Sequence, residues 1–387
     1  MVISKDLDKL FRLIKESVIP LNNTIIKTKN ASGRTLYENI FSKSDIPPFN
    51  RSMMDGYAVK HNAIKTNESY AVYKSIFAGD DLPKHNSSKP VIQISTGANI
   101  PNDFNTIIPI EYTTKVKHNL TFKKIPAKGS YIHLKGQDIK KNELLFSKGI
   151  TLKPHHIGAI ISCGVSSIKV SKKPKIKIIT TGNEISKKIE SSMILNSNEP
   201  MISAFVKQYG GLIENTIHIR DSQKMTRQTL QNISNADLLI TTGGAGNGPR
   251  DYLIQEINKV AVPIIKNFKM KPGGPTSLWK LKNKKTYILT LAGNPFSALV
   301  GLHTVGRIVI NSLLSNYSNF IQSADLTFKI KRNAKHMMLP IKIQDKNIYP
   351  ITFSNSGDLI RPSNADGIAI IPPAEAKLKK VSYIDWR

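Results

Sequence analysis

LLITTGGAGNGPRDY, residues 238–252, is the stretch that decides the fold. A short β-prone run leads into a cluster of glycines, and Pro249 then stands where a helix would begin, so the order indicates strand, loop and helix. Glycines let backbone N–H groups approach an anion closely, and a helix N-terminus adds partial positive charge. We therefore predict a phosphate-bearing ligand here. The residues expected to bind it are Thr242, Gly243, Gly244, Gly246 and Gly248.

Neither of the two common phosphate-binding motifs fits this loop. The dinucleotide pattern requires a glycine where Pro249 stands, and the P-loop requires Lys-Ser/Thr at Pro249 and Arg250. The alternative is a flexible connection without a ligand. The strand ahead of the loop and the carboxylate of Asp251 behind it favour a site.

The composition is that of an ordinary globular protein, with 40% hydrophobic and 21% charged residues among 387. A single cysteine, Cys163, excludes an intramolecular disulfide and a cysteine-rich zinc site, and it favours a reducing compartment. No apolar run approaches the ~18 residues of a membrane span, and the N-terminus has no signal-peptide pattern. We expect a cytoplasmic protein that does not enter a membrane.

The formal net charge of +29 raises the question of a nucleic-acid or membrane-surface partner. The lysines are spread along the whole chain, and no basic run is interleaved with aromatic residues as in a stacking platform. The pattern therefore favours a general compositional drift and disfavours nucleic acid. A positive field would also help to gather an anionic substrate.

From residue 176 onward, predicted strands alternate with predicted helices, which indicates a doubly wound parallel sheet. Ligands of such sheets bind at the carboxyl ends of the strands. Glu184, Asp221 and Asp251 each follow a different predicted strand, so they should meet at one edge beside the glycine loop. Hard oxygen ligands beside phosphates suggest Mg²⁺ held partly by substrate oxygens. Each acid alone could equally be a helix cap.

The flanking regions are mainly β-like, with a β-rich N-terminal part and a small all-β C-terminal domain. Asp55 lies in the stiff stretch DIPPFNRSMMDGYAVK, where it could be a hydrogen-bond acceptor, a metal ligand or a turn residue. Thr96 lies in STGANIP, in a turn that could meet a ligand. At the N-terminus, one helical face carries Leu7, Leu10, Phe11, Ile14 and Val18, which predicts a docking helix.

Several motifs occur in order along nearly the whole chain: SGR, PPFNRSMMDGYAV, STGANIP, GQDI, PHHIGAIISCGV, TGNEI, NSN, TTGGAGNGPRDY, MKPGGP, LAGNPFSALV and NADGIAIIP. The set resembles the molybdopterin molybdenumtransferase family, which includes bacterial MoeA and the E domains of its plant counterpart and of gephyrin. The resemblance implies a discontinuous N-terminal linker domain (1–45 plus 135–172) and a β-rich inserted domain (46–134). It also implies a central molybdopterin-binding α/β domain (173–318) and a C-terminal β domain (319–387).

The activity implied by the resemblance is the Mg²⁺-dependent insertion of molybdate into adenylylated molybdopterin, which releases AMP and yields molybdenum cofactor. Such enzymes form homodimers, and an adenylyltransferase could hand over the substrate. By motif match, Glu184, Asp221 and Asp251 would hold the metal and the nucleotide. Lys271, Ser297 and Ser356 would line the pterin or oxyanion region. Asp55 and Thr96 would complete the cleft from the partner subunit, and Asp55, Asp251 and Lys271 would be catalytic.

The chain departs from the family pattern at several positions. The second lysine of the usual KPGKP is replaced by Gly274, and an arginine expected early in the C-terminal domain falls near Pro340. Asn50, Asn183 and Asn196 stand where the family usually has acids. Loss of a positive charge should weaken the binding of a dianion. The alternative is therefore a degenerate member that binds molybdopterin or acts as a scaffold with little insertase activity.

Overall fold

The structure is a computed structural model, and the elements below are those of the residues that it describes. These are residues 5–82, 89–116, 119–186, 188, 192–233, 235–244, 252–266, 268–326, 328, 334–345, 347–373 and 380–386.

A six-stranded sheet forms the centre of the molecule. Its strands are β1 (Lys175–Thr181), β2 (Leu212–Ile219), β3 (Leu238–Thr242), β4 (Ala261–Ile265), β5 (Ser277–Leu281) and β6 (Tyr287–Leu291). They lie in the order β2-β1-β3-β6-β5-β4. The four strands β2, β1, β3 and β6 are parallel, as the alternation of strands and helices predicts.

The other two strands make the sheet mixed, whereas the sequence pattern predicts a parallel sheet. β5 runs antiparallel to β6, and β4 runs antiparallel to β5. Only five residues separate Leu281 from Tyr287, and Asn283 in this turn adopts a left-handed backbone with φ 59°. A parallel pair needs a crossover of about a dozen residues, so this short turn forces an antiparallel hairpin.

Six helices are described, of which α2 lies outside the central domain. They are α1 (Lys5–Ser17), α2 (Pro154–Ser162), α3 (Asn198–Gln208), α4 (Gln223–Gln231), α5 (Tyr252–Val260) and α6 (Pro295–Leu313). Side chains of α1, α3 and α6 pack on one face of the sheet, and those of α4 and α5 pack on the other. The predicted doubly wound architecture is therefore confirmed for the central domain.

Helix α1 buries the apolar face that the sequence predicts. Leu7, Phe11, Ile14 and Val18 are almost fully buried, and Leu10 packs against the same core. This core also contains strand residues of the central sheet, such as Ile178. The first helix of the chain therefore docks on the central domain, although the sequence division groups it with residues 1–45.

The N-terminal linker domain is built from segments far apart in the sequence. Asn23–Lys27 pairs antiparallel with Ser167–Ser171, and Ile40–Phe41 pairs with Leu144–Phe146. Helix α2 ends before Gly164, whose φ of +79° ends the helix as the sequence predicts. His156 caps α2 by accepting a hydrogen bond from the Lys153 backbone N–H at 3.0 Å.

The inserted region contains short antiparallel and parallel pairings. Its four-stranded sheet has the order Ser75–Ile76, Val91–Ile94, Gly56–Val59, Thr106–Pro109. Its three-stranded sheet has the order Ser69–Ala71, Asn119–Phe122, Thr113–Val116, and Arg51–Ser52 pairs with Ile132–His133. In the central domain, Ile185–Ser186 also pairs with Ile194–Leu195.

The C-terminal sheet incorporates a strand from the central domain. Its order is Met270–Lys271, His336–Gln344, Gly367–Ile371, Lys380–Asp385 and Ile321–Asp325, with Asn347–Pro350 paired to His336–Gln344. The short strand Met270–Lys271 therefore joins the two domains along one ladder.

Helix α6 has an irregular middle and a buried position. Leu302–Gly306 forms a π-helical segment within it. Among the described residues, α6 is the one helix long and apolar enough to cross a membrane, but 83% of its most apolar window is buried. This burial is typical of a core helix.

Candidate active site

A cleft of about 1100 Å³ lies between the central and C-terminal domains. One side is formed where β1, β2, β3 and β6 end, as expected for a doubly wound sheet. The loop after Met270 and the C-terminal domain form the other side. The central-domain lining residues are Thr181, Gly182, Glu184, Asp221, Gly243, Gly244, Met270, Lys271, Pro272, Gly273, Gly274, Pro275, Ala292, Gly293, Asn294 and Ser297. The C-terminal domain contributes Lys335, Met337, Leu339, Phe353, Ser354, Asn355 and Ser356.

The structure brings two of the three predicted carboxylates into this cleft. Glu184 follows β1 and Asp221 follows β2, and both line the cleft beside the glycines. Asp251, Gly246 and Gly248 lie outside the described residues. No group of three or more metal-ligating side chains occurs among the residues that the structure describes. The third carboxylate of the predicted set therefore stays a prediction from the sequence.

Glycines form the floor of the cleft because the ends of β1 and β3 touch. Gly243 has φ +87°, and a Cβ built there would lie 2.6 Å from Thr181 Oγ1 and closer still to the Thr181 carbonyl oxygen. A Cβ at Gly244, φ +56°, would lie 3.1 Å from the same hydroxyl. A side chain at Gly243 would clash, and a side chain at either position would require strained backbone. Among the described residues, the buried Thr181 hydroxyl has no hydrogen-bond partner.

Thr242 supports the cleft from below and does not line it. Its side chain is buried, its hydroxyl donates to Ala292 O at 2.8 Å, and it accepts from Asn198 Nδ2 at 2.9 Å. Asn198 Nδ2 also donates to Gly293 O at 2.7 Å. The hydroxyl is therefore occupied in joining β3 to the loop after β6. The hydroxyl thus has a structural role here, and the predicted part of Thr242 in ligand binding stays a prediction.

Ser297 and Ser356 meet at the N-terminus of α6. The Ser356 carbonyl oxygen accepts from the backbone N–H groups of Phe296, at 3.1 Å, and Ser297, at 3.3 Å. Asn294 Nδ2 donates to Ser356 Oγ at 2.7 Å. Both serines line the cleft, as predicted from separate stretches of sequence. The C-terminal domain thus provides the acceptor for the first free amides of this helix.

The loop Lys271–Pro275 crosses the cleft with one lysine. Lys271 is exposed and lines the cleft, and the Lys271-Pro272 peptide bond is cis. Gly273 has φ +99°, and a Cβ there would lie 2.7 Å from Met270 Cε. Gly274 also lines the cleft but contributes no charge.

Apart from Ser356, the sequence did not identify the C-terminal wall of the cleft. Along the strand His336–Gln344 and the residue before it, burial alternates, so Lys335, Met337 and Leu339 face the cleft while His336 and Met338 are buried. The period-two alternation was the available signal. The pairing of this strand with Met270–Lys271, which places it at the cleft, is a long-range contact that no local pattern reveals.

Asp55 and Thr96 lie together, but away from this cleft within the same chain. Asp55 Oδ1 accepts from the Thr96 backbone N–H at 2.7 Å and from Thr96 Oγ1 at 3.1 Å. Both residues are exposed on the inserted domain, and neither lines the cleft. Their predicted contribution across a subunit interface stays a prediction.

Asn50, Asn183 and Asn196, which the resemblance places where the family usually has acids, each accept a hydrogen bond from a backbone N–H. Asn50 Oδ1 accepts from the Lys135 N–H at 2.8 Å, and Asn196 Oδ1 accepts from the Glu199 N–H at 3.2 Å. Asn183 Oδ1 accepts from the Asp221 N–H at 3.2 Å, while Asp221 Oδ2 accepts from the Asn183 N–H at 3.4 Å. At Asn183 the replacement preserves this local bracing and removes a negative charge next to Asp221.

The charges of the cleft are separated between its two sides. Glu184 and Asp221 carry the negative charge at the strand ends, and Lys271 and Lys335 carry positive charge on the opposite side. Met337, Leu339 and Phe353 provide apolar surface on the C-terminal wall. Such a cleft suits a ligand that has an apolar part and anionic groups, with a divalent cation between its anionic groups and the two carboxylates.

Comparisons with known proteins found similarity along almost the whole chain. Residues 5–164 match the family described as the MoeA N-terminal region (domain I and II), and residues 177–312 match a probable molybdopterin binding domain. The chain is 27% identical to a molybdopterin molybdenumtransferase of Staphylococcus epidermidis, over 97% of this chain and 93% of that protein. It is also 27% identical to the molybdopterin molybdenumtransferase of Haemophilus influenzae, over 78% of this chain and 76% of that protein.

The fold is shared with solved structures over almost the full length. A molybdopterin biosynthesis MoeA protein of Pyrococcus horikoshii superposes with a TM-score of 0.80 at 25% identity, covering 98% of both chains. A second structure of a MoeA protein from this organism gives a TM-score of 0.83 at 21% identity, over 98% of this chain and 99% of that one.

Proposed function

Because the chain belongs to the molybdopterin molybdenumtransferase family, we propose that it inserts molybdate into adenylylated molybdopterin and releases AMP. The observation that carries this proposal is the convergence in the cleft. Glu184, Asp221, Lys271, Ser297 and Ser356 come from five separate stretches of sequence, and all of them line it. At about 1100 Å³, the cleft is slightly larger than the ~300–1,000 Å³ typical of ligand pockets, which suits a ligand as large as a pterin nucleotide.

In this proposal the acidic side of the cleft holds the adenylate end of the substrate. Gly243 and Gly244 allow close approach of phosphate oxygens because they carry no side chains. The Thr181 hydroxyl, buried and without a partner in the described part of the chain, offers a donor at the same place.

The carboxylates fit a magnesium ion. Glu184 and Asp221 line the same cleft and offer hard oxygen ligands, and Asp251 would add a third according to the sequence. Mg²⁺ keeps several positions for water and phosphate oxygens, so a small set of carboxylates suffices. When bound, it would neutralise phosphate charge. The protein itself would orient the phosphates through the glycine floor and these acids.

The basic side of the cleft would bind molybdate. Lys271 is the charged group there that the resemblance implies, and the buried Ser297 adds a hydroxyl. The apolar wall of Met337, Leu339 and Phe353 would pack against the pterin ring and limit water around it. Loss of a lysine at Gly274 lowers the charge of this region relative to the family pattern. It leaves the rest of the cleft in place, which favours the enzyme over the degenerate binding protein.

The proposal extends to a second subunit. Asp55 has one carboxylate oxygen bound by Thr96, and its other oxygen has no hydrogen-bond partner among the described residues. In a homodimer the resemblance would bring this pair to the cleft of the partner. A cytoplasmic location and transfer of substrate from an adenylyltransferase accord with this function.

The test is the release of AMP by the purified protein with adenylylated molybdopterin, molybdate and Mg²⁺. We expect AMP release that requires both molybdate and Mg²⁺. Asp221→Asn should remove most of this activity, whereas Asp325→Asn, an exposed acid at the end of a C-terminal strand, should not. Binding of the adenylate without turnover by the unmodified protein would instead favour the scaffold alternative.

A further inference from the structure

Glu256 is a buried carboxylate that lies on α5 and does not line the cleft. Three donors from two helices converge on it. They are Arg227 Nε at 3.1 Å from Oε2, Lys259 Nζ at 2.6 Å from Oε1 and Gln223 Nε2 at 2.9 Å from Oε1. The hydrogen bonds from Arg227 and Lys259 lower the pKa of Glu256 to about 2, so the group is ionised at neutral pH.

The arrangement around Glu256 provides geometry more than stability. Compared with a well-packed apolar side chain, a buried carboxylate adds little net stability, because taking its charge out of water offsets much of its attraction to the cations. Its two oxygens nevertheless fix the positions of the donors that meet there. Gln223 and Arg227 both lie on α4, so Glu256 holds α4 against α5.

The contact with Gln223 lies next to the acidic side of the cleft in the chain. Gln223 is the first residue of α4 and follows Asp221 by two positions. Ser222, between them, caps the helix by accepting from the Met225 N–H at 3.4 Å. Asn183 holds Asp221 from the other side through two reciprocal hydrogen bonds between side chain and backbone. The position of Asp221 therefore depends on how the first turn of α4 is held.

We propose that Glu256 is a positioning residue for the metal site and that it acts through Gln223. By fixing the first turn of α4, it holds the Asp221 carboxylate where this group can share a Mg²⁺ ion with Glu184. The inference rests on the proposed function, in which Mg²⁺ binds these acids. Glu256 and Gln223 do not line the cleft, and neither contacts the ion.

Calorimetric titration of the protein with Mg²⁺ in the presence of AMP tests this assignment, with Gln223→Met as the variant. Arg227→Met is the matched control, because Arg227 donates to the same carboxylate from the same helix, one turn further from Asp221. We expect Gln223→Met to raise the Kd for Mg²⁺ about fivefold, less than the ~10–100-fold typical of groups that bond directly to a metal ligand. Arg227→Met should leave this Kd unchanged. The Mg²⁺ concentration for half-maximal AMP release should follow the same pattern.

Urea unfolding of the same two variants separates positioning from stability. Arg227→Met removes two hydrogen bonds and a positive charge from Glu256, whereas Gln223→Met removes one hydrogen bond and no charge. Loss of a paired cation leaves the buried carboxylate less compensated, so Arg227→Met should lower the urea midpoint more than Gln223→Met does. The order of the two variants should therefore reverse between stability and Mg²⁺ affinity.

The outcomes distinguish this inference from the proposed function. If Arg227→Met weakens Mg²⁺ binding as much as Gln223→Met does, Glu256 acts only through stability and the assignment is wrong. An unchanged Kd in Gln223→Met, or no Mg²⁺ binding by the unmodified protein, would overturn it equally. If no form of the protein releases AMP, the proposed function fails, but weaker Mg²⁺ binding by Gln223→Met alone still supports the positioning role.

Discussion

The glycine floor can be tested by adding one methyl group at Gly243. The new Cβ would overlap the Thr181 carbonyl oxygen and lie 2.6 Å from its hydroxyl, and φ there is +87°. A left-handed backbone costs a non-glycine residue about 1–2 kcal/mol. Displacing packed backbone adds about 1–3 kcal/mol. We therefore expect Gly243→Ala to lower the free energy of unfolding by about 3 kcal/mol and to abolish AMP release, because β1 and β3 must move apart.

Gly33→Ala is the matched control for this substitution. Gly33 has a similar φ of +77°, but a Cβ there meets nothing within 4 Å. Gly33→Ala should lower the free energy of unfolding only by the cost of a left-handed backbone, about 1 kcal/mol, and it should leave AMP release unchanged. Urea unfolding and AMP release would be measured on both variants. If Gly243→Ala lowers the free energy of unfolding no more than Gly33→Ala does and keeps full activity, then the contact between the ends of β1 and β3 does not exclude a side chain at Gly243.

Three further predictions concern charge. Glu256 is buried on α5, and hydrogen bonds from Arg227 and Lys259 lower its pKa to about 2. Because both cations are about half exposed, Glu256→Gln should lower the free energy of unfolding, measured in urea at neutral pH, by only about 2 kcal/mol. A carboxylate with a lowered pKa stabilises the fold at pH values above its pKa of 4.5 in the unfolded chain. The stability difference between Glu256→Gln and the unmodified protein should therefore shrink as the pH falls from 4.5 towards 2. An equal cost for Glu38→Gln, which removes an exposed ion pair, would contradict this. Gly274→Lys should lower the half-saturating molybdate concentration several-fold, because it adds a positive charge to the cleft. Its Cβ would lie 3.1 Å from the Met270 carbonyl oxygen, so the loop must shift by a few tenths of an ångström to admit it. An unchanged value would show that the site is already compensated. Asp251→Ala should abolish Mg²⁺-dependent AMP release without changing the melting temperature, and retained activity would remove this acid from the metal site.

Much of the fold follows from local patterns in the sequence. The apolar face of α1 and the stop of α2 at Gly164 were predictable because each depends on a few neighbouring residues. Glu184 and Asp221 were predictable for a different reason. Parallel strands end at one edge, so residues that follow separate strands must meet there.

The parts that the sequence missed depend on contacts between distant segments. The antiparallel hairpin of β5 and β6 depends on the short turn between them, and the strand-helix alternation gave no sign of it. Lys335 reaches the cleft only because its strand pairs with Met270–Lys271, which lies far away in the chain. The burial of Thr242 depends on Ala292, from the loop after β6, and on Asn198, from the start of α3. The local sequence predicted a hydroxyl near the site. It could not show that this hydroxyl is already hydrogen-bonded to Ala292 and Asn198.

The N-terminus of α6 shows how the C-terminal domain constrains the chemistry of the cleft. A helix N-terminus ordinarily attracts an anion through its free amides. Here the Ser356 carbonyl oxygen accepts from the first of these amides, those of Phe296 and Ser297. These two amides are therefore not free to bind an anion, which leaves that role to other groups of the cleft, such as the Lys271 ammonium. The same contact couples the domains, because any movement that opened the cleft at Ser356 would leave backbone amides without their acceptor.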